Sequence, residues 1–196
     1  MIGVARVATT LQQGRAAAAD VDDAAVEAPF TAPLNEGVPT LAEMTRGALN
    51  VLGADPDGLL LMIEGGAVDW AAHANQCGRM IEEQIDFNRA VEAVVAWVEA
   101  NSTWEETLLV VTADHETGFL NGPGADDEWC PLPSCEAGTA PAVRWHSGGH
   151  TNSLVPFFAR GAGAERFIAR ATGDDPVRGR YLDNTDLAAV LFDAMQ

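Results

Sequence analysis

Gly58–His73, GLLLMIEGGAVDWAAH, is the stretch on which the reading of this chain turns. Leu59 to Ile63 is a short apolar run without polar alternation and with a glycine before it, so it reads as a buried strand. Glu64 then falls at the strand's carboxyl end, where open α/β sheets bind their ligands. Gly65 and Gly66 permit a tight turn. A helix starting near Ala67 sets Asp69 and His73 at i and i+4 on one face, where a carboxylate and an imidazole can grip one cation. Each residue also has an ordinary reading: Glu64 as a solvated strand end, Asp69 as a first-turn acid favoured by the helix dipole, His73 as a surface histidine. Their conjunction is what points to a metal.

Working outward, Thr40 and Glu43 form a T-x-x-E capping box ahead of a helix over Leu41 to Leu52, with Leu41, Met44, Ala48 and Leu52 on one stripe and Gly53 as its stop. ADPDG at 54–58 is a turn leading into the strand. After His73 a helical period returns, with Phe87, Val91, Val94 and Val98 on one face and Glu82, Glu83, Arg89 and Glu92 on others. Thr107 to Thr112, TLLVVT, reads as a second buried strand. Strand, helix, strand is a βαβ unit, which predicts two parallel strands with their carboxyl ends on one edge.

The second strand ends in Asp114 and His115, so a second carboxylate and imidazole are expected beside the first. Successive strand residues point to opposite faces, and a bend at Glu116, Thr117 and Gly118 is needed for both to share a metal. Leu154 to Ala159 suggests a third strand, at an edge or bulge because Pro156 removes a ladder donor. His150 precedes it among Gly148, Gly149 and Thr151, with little apolar surface to bury, and is favoured over His146 as a ligand. The tail, YLDNTDLAAVLFDAM, offers Asn184 or Thr185 as a cap for a last helix with Leu187, Val190 and Leu191 inward.

At 196 residues and 47% apolar content the chain suits one globular domain. A net charge of −18 argues against nucleic acid or an anionic membrane as partner. All eleven basic residues are arginine. No apolar run is long enough to span a membrane, and the start lacks the basic flank and long apolar core of a signal peptide. Residues 1 to about 15 are weakly helical, 16–29 read as a flexible acidic loop, and 121–144 as a Gly- and Pro-rich insertion. Within that insertion Cys130 and Cys135 could form a local disulfide, which would suit an exported protein. Cys77 reads as a small buried apolar residue.

The candidate ligands are therefore Glu64, Asp69, His73, Asp114, His115 and His150. Mixed oxygen and imidazole donors suit zinc, whereas a carboxylate with little nitrogen around it suits magnesium. Paired cations clamping the entering and leaving oxygens of a phosphoryl transfer make a phosphomonoesterase the natural reaction.

In MIEGGAVDWAAHAN, VVTADHETG, GGHTNSLVPFFARG and DNTDL, in that order, the chain resembles the alkaline phosphatases, and PTLAEMTRGALNVL fits the segment before them. The resemblance implies a three-layer α/β/α sandwich with a mostly parallel central sheet. It also implies a first zinc on Asp69, His73 and His150, a second zinc involving Asp114 and His115, and magnesium held partly by Glu64. Phosphate monoesters are the implied substrates, and the parent protein is expected to be periplasmic or secreted. The family's serine nucleophile, in an Asp-Ser-Ala motif, has no counterpart in this sequence, nor do its phosphate-holding arginine and early metal-bridging aspartate. The chain thus looks like the carboxyl-terminal half of such an enzyme, with no catalytic residue of its own. It is expected to have little or no turnover alone, and to form a homodimer or associate with the missing amino-terminal half. A non-catalytic zinc-binding remnant, half of a split protein, and a related metallo-phosphodiesterase or phosphomutase are the alternatives.

Overall fold

A computed structural model describes residues 12–15, 28–124 and 130–195. The acidic loop expected at 16–29 falls almost wholly outside the described residues. Chain contacts divide the molecule into two compact units, Met1–Val95 with Thr117–Thr151, and Ala96–Glu116 with Asn152–Gln196.

The first unit is built on helices α1 (Leu41–Leu52), α2 (Ala67–His73) and most of α3 (Cys77–Asn101). Helix α1 begins as its sequence dictates. The Thr40 hydroxyl accepts from Glu43 N at 3.2 Å, and the Glu43 carboxylate accepts from Thr40 N at 2.7 Å. That reciprocal pair satisfies two orphan donors and draws the Glu43 carboxyl below its usual range. Leu41 N also donates to Asp86 Oδ2 at 3.1 Å, which ties α1 to α3.

The buried stripe of α1 is Ala42, Thr45 and Leu49, whereas Met44 and Leu52, expected inward, are exposed. The helix is apolar on two sides, and the described residues cover the other one. Along α3 the inward residues are Cys77, Ala90, Ala93 and Val98, with Phe87, Val91 and Val94 half-buried.

Glu82 and Glu83 depart from the expected polar face, because both are buried. Arg15, far away in sequence, supplies the reason: its guanidinium lies 2.6 Å from Glu82 Oε2 and donates to Ala32 O at 3.2 Å. Phe30 N donates to the other Glu82 oxygen at 2.5 Å. A buried carboxylate is tolerated when it is paired and hydrogen-bonded in this way. Glu83 has poorer company. Burial, followed by the negative charges of Asp86 and Glu82, raises its pKa to about 7.

Short strands complete this unit: β3 (Leu120–Asn121) runs antiparallel to β4 (Arg144–Trp145), and β2 (Glu116–Thr117), cut by the unit boundary, pairs with β5 (His150–Thr151). In the second unit β1 (Leu108–Val111) runs antiparallel to β6 (Phe158–Gly161), with Leu108 opposite Gly161. Helix α4 (Glu165–Arg170), the β7–β8 hairpin (Gly173–Asp175, Gly179–Tyr181) and helix α5 (Asn184–Ala194) follow. Phe157 packs on Phe167 with ring centroids 4.9 Å apart, and Val190 is fully buried. The cap of α5 is Asp183, one residue before the expected pair, in a box with Asp186.

Three sheet expectations are corrected. Leu59–Ile63 forms no strand, with Leu60 69% and Met62 86% exposed, because no described residue supplies it with a ladder. The expected parallel βαβ sheet is replaced, among the described residues, by two-stranded sheets whose known registers are antiparallel. The third strand starts at Phe158 rather than Leu154, downstream of Pro156. Cys130 and Cys135 are free thiols turned to carbonyls of Pro131 and Thr139, and Cys77 is buried. No described helix is long and apolar enough to cross a membrane.

Candidate metal centre

Helix α2 presents the first two candidate ligands. Ala67, Ala71 and Ala72 are buried, so one alanine face packs inward and leaves Asp69 and His73 on the accessible side. Gly65 makes the approach possible, since a Cβ there would lie 2.9 Å from the Phe87 ring of α3. At their four-residue spacing, His73 Nε2 lies 3.5 Å from Asp69 Oδ2.

The third candidate, His150, arrives on β5, whose preceding loop is held by the turn at Gly118. The Gly118 carbonyl accepts from both His146 N and Ser147 N, while Gly118 N donates to Gly149 O. Gly118 has φ of +90°, and a Cβ on it would sit 2.5 Å from the Trp145 ring and 3.2 Å from Ala72 O. Glycine is required there on both counts.

So anchored, the loop orients two imidazoles. Gly148 O lies 2.7 Å from His73 Nδ1, which assigns the proton to Nδ1 and leaves Nε2 as a lone-pair donor. His150 Nε2 lies 3.0 Å from that His73 Nε2 and 3.3 Å from Asp69 Oδ1. One donor atom from each of the three residues falls within 4.8 Å of the others. Thr117 Oγ1 donates to Asp69 Oδ1 at 2.5 Å.

Two imidazole nitrogens and a carboxylate oxygen facing one point fit a divalent metal of borderline softness, the donor class of zinc. The site is open to solvent, with the His150 side chain half exposed.

The other sequence candidates lie outside this trio. Glu64 is exposed, with Oε1 turned back to 3.2 Å from where a Gly66 Cβ would stand. Asp114 and His115 belong to the second unit, where His115 Nε2 is 3.3 Å from Asp114 Oδ2 and Asp114 is largely exposed. His146 is not part of the group, and its ring lies 5.4 Å from that of Phe119. Sequence reasoning missed the parts played by Thr117 and the Gly148 carbonyl. The hydroxyl directly after the D-H-E run was the available signal for the first, and a backbone carbonyl carries none.

The family model of alkaline phosphatase matches residues 15–137, more than half of the chain. Alkaline phosphatase 3 of Bacillus subtilis is 26% identical over 81% of this chain and 45% of its own length. The alkaline phosphatase of Escherichia coli is 36% identical over 49% of this chain and 20% of its own, and alkaline phosphatase H of Pseudomonas aeruginosa 43% over 40% and 16%. Among solved structures, a cold-active alkaline phosphatase from Shewanella superposes with a TM-score of 0.60 over 80% of this chain and 50% of that one. At 23% identity that likeness bears on the α/β fold alone. The chain spans about half the length of these longer relatives or less. The chain belongs to the alkaline phosphatase family of phosphoric monoester hydrolases.

Proposed function

We propose that this chain supplies the imidazole and carboxylate ligands of a metal-dependent phosphomonoesterase, and that it turns over little or no substrate alone. The observation that carries this reading is the convergence of His150 with Asp69 and His73 across 77 residues of chain, in a family of phosphomonoester hydrolases. Asp69, His73 and His150 would hold a first zinc, Asp114 and His115 would take part in a second, and Glu64 would serve magnesium. When bound, such metals neutralise phosphoryl oxygens and lower the pKa of water.

The chain's own residues do the preparation. The Gly148 carbonyl keeps the His73 proton on Nδ1, so Nε2 stays free to ligate. Asp69 brings negative charge against both imidazoles and offsets the cation's charge. The exposed mouth admits a phosphate monoester. No Asp-Ser-Ala sequence is present to provide a serine nucleophile, and unaided metal positioning rarely replaces a covalent route.

The run Leu59–Ile63 favours association over independent action. Leu61 and Ile63 are half-buried while Leu60, Met62 and Glu64 are exposed, the alternation of a strand covered on one face. A polypeptide corresponding to the part of alkaline phosphatases that this chain does not span would cover the other face, whether continuous with this chain or separate. A second copy is the competing occupant.

Incubating the purified chain with zinc, magnesium and an aryl phosphate tests the reading. Bound zinc with turnover near background is expected. Absence of zinc, or sustained chelator-sensitive turnover by the chain alone, contradicts it. A zinc-binding protein without a catalytic future is the second reading. Refolding the chain together with the amino-terminal part of the Bacillus subtilis relative separates the two, because recovered turnover excludes it.

A further inference from the structure

We propose that Thr117 is a positioning residue for the metal centre, acting through Asp69; this rests on the metal-binding reading above. Its hydroxyl donates to Asp69 Oδ1 at 2.5 Å, a short contact of the charge-assisted kind. Asp69 sits on a seven-residue helix whose packing is supplied by alanines, which fix the helix but not a carboxylate rotamer. The Thr117 hydroxyl supplies that missing constraint.

The hydroxyl is itself held from two directions. Thr117 lies in β2, which pairs with β5, the strand bearing His150. The next residue, Gly118, is locked by its bonds to His146, Ser147 and Gly149 and by the Trp145 ring. The loop that sets His150 and directs Gly148 O to His73 therefore also sets the donor that orients Asp69. One hydrogen-bonded corner aligns all three ligands. Hydroxyl donation commits one lone pair of Oδ1, so that the remaining carboxylate lone pairs face the imidazoles: Oδ1 toward His150 and Oδ2 toward His73.

The bland alternative is that threonine is present as a β-branched strand former. Two variants separate these roles. Thr117→Val keeps the shape and the strand preference but removes the donor, whereas Thr117→Ser keeps the donor and removes the methyl group. Outer partners of metal ligands typically contribute about 10- to 100-fold in affinity. Zinc affinity of the full chain is measured by chelator competition, together with the visible spectrum of the cobalt-loaded protein and the melting temperature of the metal-free form.

The expected result is a zinc affinity lowered by about 10- to 100-fold in Thr117→Val with an altered cobalt spectrum, and near-native values in Thr117→Ser. Equal affinity and spectrum in Thr117→Val and the parent would overturn the proposal, as would Thr117→Ser losing as much as Thr117→Val. A parent chain that binds no zinc refutes the underlying metal reading as well, and is told apart by failing before any variant is made.

Discussion

The Asp69–His73–His150 trio and the apolar run Leu59–Ile63 lie in the same unit, yet one is assembled and the other is not. Asp69, His73 and His150 come together through a helix, a tight glycine turn and a loop held by its hydrogen bonds to Gly118. Leu59–Ile63 has the more strongly patterned sequence and forms no regular element. The difference lies in where each takes its partners. A helix satisfies its backbone internally and a glycine corner does so locally, but a strand needs a neighbour to complete its hydrogen bonds. The second unit makes the same point. There Leu108–Val111, no more apolar than Leu59–Ile63, forms a strand because Phe158–Gly161 lies against it.

Disrupting the framework under the assembled region should cost most. Glu82→Ala leaves the buried Arg15 guanidinium without its carboxylate, and a loss of about 3–5 kcal/mol is expected in urea unfolding, as for other broken buried pairs. Next comes a contrast of apolar truncations: Leu49→Ala, from a residue 3% exposed, should cost about 3 kcal/mol, whereas Met62→Ala should change stability by less than about 0.5 kcal/mol. A large loss for Met62→Ala would mean that the run is covered in solution. His73→Ala should weaken zinc binding by on the order of 100-fold, near 2.7 kcal/mol, while Glu64→Ala leaves it within about 3-fold. Comparable losses in the two would erase the distinction between the trio and the open run.

The smallest effect is a pH dependence. The folded protein holds the Glu83 proton up to about pH 7, against 4.5 for the ordinary carboxyl. Folding therefore takes up a proton between those values, and stability falls as pH rises from 4.5 to 7, the full cost being present above 7. Glu83→Gln cannot ionise and should gain about 1–2 kcal/mol over the parent at pH 8 and nothing at pH 4. A gain independent of pH would point to packing instead of charge.

Much of this was legible in the residues, and for definite reasons. The Thr40–Glu43 box and the Asp69–His73 spacing are local, so sequence alone places them. His150 stood out because three neighbours deny it a core to pack in, and its side chain lies beside Asp69 and His73. Burial of Glu82 was not legible, since its cause is an arginine 67 positions upstream in the chain. Nor was the bare face of α1 at Met44 and Leu52, because a helix apolar on two sides does not reveal which side is covered. The reading of Leu59–Ile63 as a buried strand was wrong, because a strand depends on a partner that an apolar run does not specify. The antiparallel pairing of β1 was hidden similarly, since an apolar run carries no mark of its neighbour's direction.

The most direct test of the central claim is a zinc titration of the purified chain against a competing chelator, run beside His150→Ala. One tight equivalent of zinc, lost on that substitution, is the result this account predicts. Equal zinc binding by both proteins, or none by the parent chain, would contradict it.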